Sequence, residues 1–516
     1  MLLLPGHNPD PTILRDGDDY YVVTSTFEYF PGLAIYHSTD LTEWTLLGHA
    51  LDRPSQLNMR TVESGGGVFA PSLRKAKGRY YIACTAMYRG IIGPRGFYVW
   101  TDDIRGSWSD PVYLDQIGID QDLFFDDDRV YLSFATMLPK SIRGEGLGIG
   151  VYCVEIDLPT GRSKAIPTLI RHSQHGQGIA EGPHIFKKDG AYYLTTAEGG
   201  TERDHQQWIF RSDHGPLGPW YEPPTGVNPI LYNGNHPQVQ QTGHLDFVRS
   251  DDGWWAVFLG TRGGRYGDGG WSQLGRESFI ARVEWQGGWP VVTQPVTVYG
   301  ERADRAGVET LHHVEFAPSS ALPLGWYHLR TPLTQEWSLD ARPGYLTLYG
   351  SPYTLSVDES PAALFRKQTA FDETWSCEID FHPGDGEEAG LVVWWSAAAY
   401  ASVGIVGTAA RRELRVKWCE PEAEDFTVSL HDIPPSGPVV IQTKATPTGY
   451  SFSLKAQGGW TLLKTISARS IVRNRPTDSR NVGTHFGLYA QGNHSWPCLN
   501  PAHFKVLEGR TVSEVV

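Results

Sequence analysis

The 516-residue chain has little that could cross-link it or hold a zinc ion. Its five cysteines, Cys84, Cys153, Cys377, Cys419 and Cys498, form no CxxC pair and no Cys/His ligand spacing. An odd, scattered set also fits poorly with a disulfide-stapled secreted scaffold. A chain of this length can bury enough core to do without one. Long apolar runs are missing too: none approaches the ~18 residues that span a bilayer. The start, MLLLPGHNPDP, has no basic residues before its short apolar run, which falls well below the roughly 7–15 residues of a signal sequence. The expectation is a cytoplasmic protein with no membrane partner. Positive charge is in deficit, with 44 Lys and Arg against 58 Asp and Glu and a formal net charge of −14. That sign argues against a nucleic-acid partner and for a neutral ligand. Helical periodicity is nearly absent.

Aromatic and turn-forming residues are plentiful: 18 Trp, 24 Tyr, 57 Gly and 35 Pro. They fit an all-β protein with many turns. They also fit a sugar site, where flat rings stack on the C–H faces of a sugar while polar groups bind its hydroxyls. Composition alone leaves both readings open.

An internal repeat organises residues 1–300. Its five copies begin DPTILRDGDDYYVVTST, APSLRKAKGRYYIACTA, DQDLFFDDDRVYLSFAT, EGPHIFKKDGAYYLTTA and HLDFVRSDDGWWAVFLG. Tyr21, Tyr81, Tyr131, Tyr193 and Trp255 anchor the copies at spacings of 60, 50, 62 and 62 residues. Each unit holds three or four short strands joined by hairpin turns such as AKG and KDG. Repeated units of this size predict a five-bladed β-propeller, with an array of β-sandwiches as the rival.

Eleven residues before the anchors stand Asp10, Ala70, Asp120, Gly182 and His244, with Phe69 and Glu181 one residue earlier. In a propeller these positions surround one mouth of the central channel. Three carboxylates and a histidine facing one pocket are costly to bury unless their charges are used. The bland alternative is that they cap turns, as Asp16, Asp18, Asp19 and the Asp126–Asp128 run are expected to do.

Two carboxyl groups across a pocket are the minimal equipment for glycoside hydrolysis. Glu181, in EGPHIF, is the candidate general acid. Asp10 is the candidate base. Asp120 is a third carboxylate whose charge would keep the acid protonated.

The stretches PGHNPDPTI, YYVVTSTFEYFPGLAIYHSTDLTEW, GIDQDLFFDDD, EGPHIFKKDGAYYLTTAEGGT, TGHLDFV and LGRESF resemble the β-xylosidases of glycoside hydrolase family 43, in order, over about residues 5–300. The resemblance implies a five-bladed propeller and inverting chemistry with Asp10 as base, Asp120 as modulator and Glu181 as acid. It implies that Arg276 contacts hydroxyls of the terminal sugar and that Phe27 lines its subsite. It places His244 on the axis, where related enzymes hold a water or a divalent cation. No cofactor is required, but a calcium ion in the central channel stays open. Two departures are expected near the pocket mouth. Phe69 replaces a Trp and offers a smaller stacking face. Gln121 and Asp122 stand where Pro and Ser are usual.

Residues 301–320 read as a linker. Residues 321–516 read as a β-sandwich, from alternating strands such as YLTLYG, GLVVWWS and YSFSLKA. It resembles the C-terminal domain of the same enzymes, which packs on the propeller and favours exo cleavage. Trp394 and Trp395 fit a strand core better than a sugar-binding face, and the loop holding His494 and Trp496 is either a surface loop or a reach toward the pocket. The function expected is an exo-acting β-1,4-xylosidase on xylo-oligosaccharides. An α-L-arabinofuranosidase, or one pocket that does both on arabinose-containing oligosaccharides, is the alternative. A non-catalytic sugar-binding propeller is the rival from another class, but a binder needs no matched acid and base. A fructan hydrolase lacks support because NDPNG and RDP motifs are absent. Homo-oligomer formation is left open.

Overall fold

The computed structural model describes residues 1–88, 92–143, 148–263, 272–300, 307–319, 321–408, 411–421, 423, 425–472, 481–493 and 496–513. Five antiparallel sheets follow one another along the first 300 residues. Their innermost strands are Thr12–Asp16, Gly67–Ala76, Ile119–Asp126, Ala180–Lys188 and Val239–Ser250. Each turns through a two-residue hairpin loop into Asp19–Thr24, Arg79–Tyr88, Arg129–Met137, Ala191–Glu198 or Gly253–Arg262. All five aromatic anchors stand two residues inside these second strands. Positive φ at Lys77 and Gly78, and at Asp189 and Gly190, is what a tight hairpin turn requires. The ring closes through the amino-terminal strand Leu2–Leu4, which pairs with Glu277–Gln286 of the last blade. The chain is thus a five-bladed propeller, with apolar residues interdigitating between neighbouring blades.

The inner strands carry polar layers as well. Two residues beyond the ring of Asp10, Ala70, Asp120, Gly182 and His244 lie Thr12, Ser72, Asp122, His184 and Asp246, all buried. Arg74 gathers this second layer. Its guanidinium pairs with Asp122 at 2.8 Å and Asp246 at 3.0 Å and meets His184 Nδ1 at 2.9 Å. Asp246 also accepts from the Thr12 hydroxyl at 2.7 Å. One guanidinium therefore contacts side chains from all four other blades beneath the ring. The sequence pattern places Asp122 near the pocket mouth. It lies one layer deeper instead, because a strand returns to the same face every second residue.

After the propeller come two eight-stranded sheets packed as a sandwich around a large apolar core. Trp395 is fully buried in it, while Trp394, on the opposite face of the same strand, is fully buried in a second cluster with Tyr29, Tyr327 and Tyr400. Part of the stretch expected as linker is a strand: Glu309–His312 pairs with Gly509–Val512 at a sheet edge. The propeller also lends a strand to the sandwich. Tyr29–Phe30 pairs with Tyr327–Leu329, and the Arg330 N–H donates to the Glu28 carbonyl at 2.7 Å. Among the described residues, no helix is long and apolar enough to cross a membrane.

Candidate active site

A shared backbone device builds the ring. Asp10, Ala70, Asp120, Gly182 and His244 all have positive φ, from 44° to 57°. The left-handed region costs a non-glycine residue about 1–2 kcal/mol, and Asp tolerates it through its short polar side chain. In four blades the pairing register shifts at this point, between Phe69 and Ser72, Ile119 and Asp122, Glu181 and His184, and Gly243 and Asp246. These are bulges, which re-aim a side chain at the end of a strand. They turn the ring residues toward the channel mouth.

The fourth blade explains why its carboxylate is one residue out of step. A β-carbon on Gly182 would stand 3.1 Å from the His244 ring. His244 fills the space a side chain at position 182 would need, so the fourth blade's acidic group comes from Glu181.

Asp10 is held from several sides. The Ser25 hydroxyl donates to its Oδ2 at 2.6 Å, and Arg276 Nη1 lies 3.3 Å from its Oδ1. His244 Nδ1 lies 3.6 Å from the same oxygen. Burial would raise the Asp10 pKa, but Arg276, His244 and Ser25 together hold it below the ordinary carboxylate value. Asp120 accepts from the Gly182 N–H at 2.8 Å. Burial raises its pKa, with Asp10 adding to the rise and His244 opposing it. The Glu181 carboxyl makes no hydrogen bond or ion pair among the described residues. The residue is half-buried, yet the carboxyl lies deep among protein atoms. Burial, then the charge of Asp120, push its pKa up to about 8. Two carboxyls in one pocket are thus driven in opposite directions. One is ionised and the other is protonated at neutral pH.

Arg276 is 6% exposed. Besides Asp10 it donates to the Thr201 hydroxyl at 3.1 Å and to the Asn481 carbonyl at 3.5 Å, and its Nε is buried with no partner among the described residues. Its guanidinium stands 5.6 Å from the centre of the Phe27 ring. Phe27 is only 1% exposed and packs 4.4 Å from the half-buried Phe69 ring. It backs Arg276 and Phe69 and shows almost no face of its own. His244 is buried beside Asp10, and burial lowers its pKa, opposed by Asp10 and Asp120.

Among the described residues, no three His, Cys, Asp or Glu side chains are grouped as a metal site requires.

Several residues at this site had no place in the expected set. Ser25 lies inside TSTFEYF, and its hydroxyl, which also accepts from the Ala70 N–H at 2.7 Å, ties the first two blades together. His205 is buried, donates its Nδ1–H to the Gln241 carbonyl at 2.9 Å, and is lowered to about pKa 4 chiefly by burial. Asn481 comes from the sandwich and has φ 65°. Its neighbours clamp the loop of Arg276: the Thr484 N–H donates to the Gln273 carbonyl at 2.8 Å. The second domain therefore helps to fix the candidate sugar-binding arginine. Trp496 is 71% exposed, and His494 lies outside the described residues.

The sequence profile of Glycosyl hydrolases family 43 matches residues 3–290, and that of the beta xylosidase C-terminal concanavalin A-like domain matches 313–509. A non-reducing end alpha-L-arabinofuranosidase of Bacteroides ovatus is 37% identical, over 97% of this chain and 93% of its own length. A xylan 1,3-beta-xylosidase of a Vibrio species is 35% identical over 76% of each chain. The solved structure of a xylan beta-1,4-xylosidase from Bacillus halodurans C-125 superposes with a TM-score of 0.85, at 28% identity and covering 99% of both chains.

Proposed function

Because the chain belongs to glycosyl hydrolase family 43, we propose that it is an exo-acting, inverting glycosidase that removes single pentoses from the non-reducing ends of xylo-oligosaccharides or arabinose-containing oligosaccharides. One observation carries this reading: Arg276 holds Asp10 ionised, while burial and Asp120 keep Glu181 protonated up to about pH 8 in the same pocket. Asp10 takes a proton from a water that attacks the anomeric carbon. Glu181 gives its proton to the departing glycosidic oxygen. The carbon–oxygen bond breaks as the new one forms on the opposite face, through an oxocarbenium-like transition state. Asp120 raises the pKa of Glu181 and, through the Gly182 N–H, steadies the strand that carries it. Arg276 orients hydroxyls of the terminal sugar, with Phe27 and Phe69 behind it.

The first reading is release of xylose by a β-1,4-xylosidase. The arabinofuranosidase reading is favoured by one observation, that the relative matched over 97% of this chain is an arabinofuranosidase. The two substrates present similar hydroxyls at the cleaved bond, so one pocket can serve both. Hydrolysis of 4-nitrophenyl β-D-xyloside and 4-nitrophenyl α-L-arabinofuranoside, measured side by side, decides between them. A faster xyloside rate supports the first reading and a faster arabinofuranoside rate the second. Turnover of neither overturns both.

The role of Asp120 has its own test in the pH profile. Asp120 raises the Glu181 pKa, and the acid must be protonated to act. Activity therefore falls as pH rises through about 8. Asp120→Asn keeps an acceptor for the Gly182 N–H but removes the charge. The alkaline limb of kcat/KM is expected to move to lower pH. A limb that stays in place removes Asp120 from the modulator role.

A further inference from the structure

Four residues beyond the aromatic anchors, the second strands carry Ser25, Thr85, Ala135, Ala197 and Leu259. The first two have a hydroxyl, and both are wholly buried. In blade one Thr12 pairs with Val23 and Ile13 with Val22, a register that sets Ser25 opposite Asp10 when carried on toward the channel mouth. In blade two Thr85 stands opposite Phe69, at the bulge that carries Ala70. Each hydroxyl takes the backbone N–H of the next blade's ring residue. The Ala70 N–H donates to Ser25 Oγ at 2.7 Å, and the Asp120 N–H donates to Thr85 Oγ1 at 3.1 Å. A backbone N–H can only donate, so each oxygen accepts there and its single proton points elsewhere. Thr85 gives that proton to Gln121 Oε1 at 2.6 Å, and Ser25 gives it to Asp10 Oδ2 at 2.6 Å. Both hydroxyls therefore link neighbouring blades, but that of Ser25 also ends on a carboxylate of the pocket.

The direction of the Ser25 proton is fixed from both sides, by the N–H that its oxygen accepts and by the carboxylate that it meets. Asp10 Oδ2 is thereby capped. The contacts of Oδ1 are longer, 3.3 Å to Arg276 and 3.6 Å to His244. We propose that Ser25 is a positioning residue for the catalytic base: oriented by the Ala70 N–H, its hydroxyl fixes the Asp10 carboxylate and leaves Oδ1 to take the proton of the attacking water. The inference rests on the reading of Asp10 as that base. A hydroxyl that donates to a carboxylate favours its ionised form. Arg276, His244 and His205 act on Asp10 in the same sense, and Asp120 and Glu181 are the other carboxyls that face it.

Profiles of kcat and kcat/KM against pH test it, on whichever 4-nitrophenyl pentoside the wild type hydrolyses. The variants are Ser25→Ala, Ser25→Thr and Thr85→Ala, with Asp10→Asn as reference. Each enzyme is also held at every pH and assayed back at neutrality, to correct for unfolding. The base acts when ionised, so activity rises with pH through its pKa. Loss of the Ser25 donor raises that pKa, and the acid limb of Ser25→Ala should move up by about one pH unit. At neutral pH its kcat should fall about tenfold or more, from a base no longer held in line, while KM stays close to the wild type because Ser25 is buried away from the sugar. Ser25→Thr keeps the hydroxyl, as Thr85 does in blade two, and should bring back both limb and kcat. Thr85→Ala removes the matching blade link without touching Asp10, so its acid limb should stay in place. An acid limb that does not move in Ser25→Ala, that moves equally in Thr85→Ala, or that Ser25→Thr fails to bring back overturns the proposal while Asp10→Asn stays inactive. An active Asp10→Asn means that the base reading itself fails, and the proposal falls with it.

Discussion

Asp10→Ala is expected to lower kcat/KM about 10³–10⁴-fold on aryl glycosides and on natural oligosaccharides alike. The attacking water needs a base whichever leaving group departs, so an activated substrate cannot bypass this loss. Its cause would be chemical. Asp10 is 5% exposed and bound to Ser25 and Arg276, so truncation leaves Arg276 without its anion as well as removing the base. Asp10→Asn separates the two effects. It keeps an acceptor for Ser25 but cannot take up the proton, and it should be impaired to a similar degree. Initial rates on both substrate types, with circular dichroism to confirm folding, check this. Activity within tenfold of the wild type in either variant would remove Asp10 from the chemistry.

Glu181→Ala should behave differently. On xylobiose or another unactivated glycoside, the loss is expected to be about 10²–10⁴-fold, the usual worth of a positioned general acid. On 4-nitrophenyl glycosides the leaving group departs with little protonation, and the loss should be smaller by a wide margin. The pH profile gives a second signature. Folding raises the Glu181 pKa to about 8, so the wild type loses its proton donor, and its rate, as pH rises through that value. The alanine variant has no such proton to lose, so its alkaline limb should flatten. Equal losses on both substrate types, with the limb unchanged, would show that another group is the acid. The lack of a partner for the Glu181 carboxyl among the described residues is consistent with the assignment, since a donor tied up in the folded protein could not reach the glycosidic oxygen.

The repeat makes much of this architecture legible in the amino-acid sequence. Tyr21, Tyr81, Tyr131, Tyr193 and Trp255 hold the same place in five second strands, so counting back eleven residues reaches the same ring position in each blade. Strand periodicity and hairpin length are local properties, and they survive in the residue pattern. Contacts between distant segments do not. Nothing in the pattern of residues 478–484 indicates that the Asn481 carbonyl would meet Arg276 from the other domain. Likewise, Tyr29–Phe30 gives no sign that it pairs into the sandwich, or Glu309–His312 that it forms an edge strand. The layer of Thr12, Ser72, Asp122, His184 and Asp246 follows the same register two residues on. Asp122 stands out there as a departure, yet its meaning needs Arg74, which reaches it from the second blade. The propeller, the sandwich and the convergence of Asp10, Asp120 and Glu181 follow from periodicity, whereas the support around them comes from tertiary contacts.

The measurement that bears most directly on the catalytic account is proton NMR of the sugar first released from the faster of the two aryl pentosides. If Asp10 activates water on the face opposite the leaving group, the new anomer has the inverted configuration, α-D-xylose from the β-D-xyloside or β-L-arabinofuranose from the α-L-arabinofuranoside. Slow mutarotation then follows. Initial release of the retained anomer would mean a covalent glycosyl-enzyme and a nucleophilic carboxylate. It would contradict the pairing of Asp10 as base with Glu181 as acid.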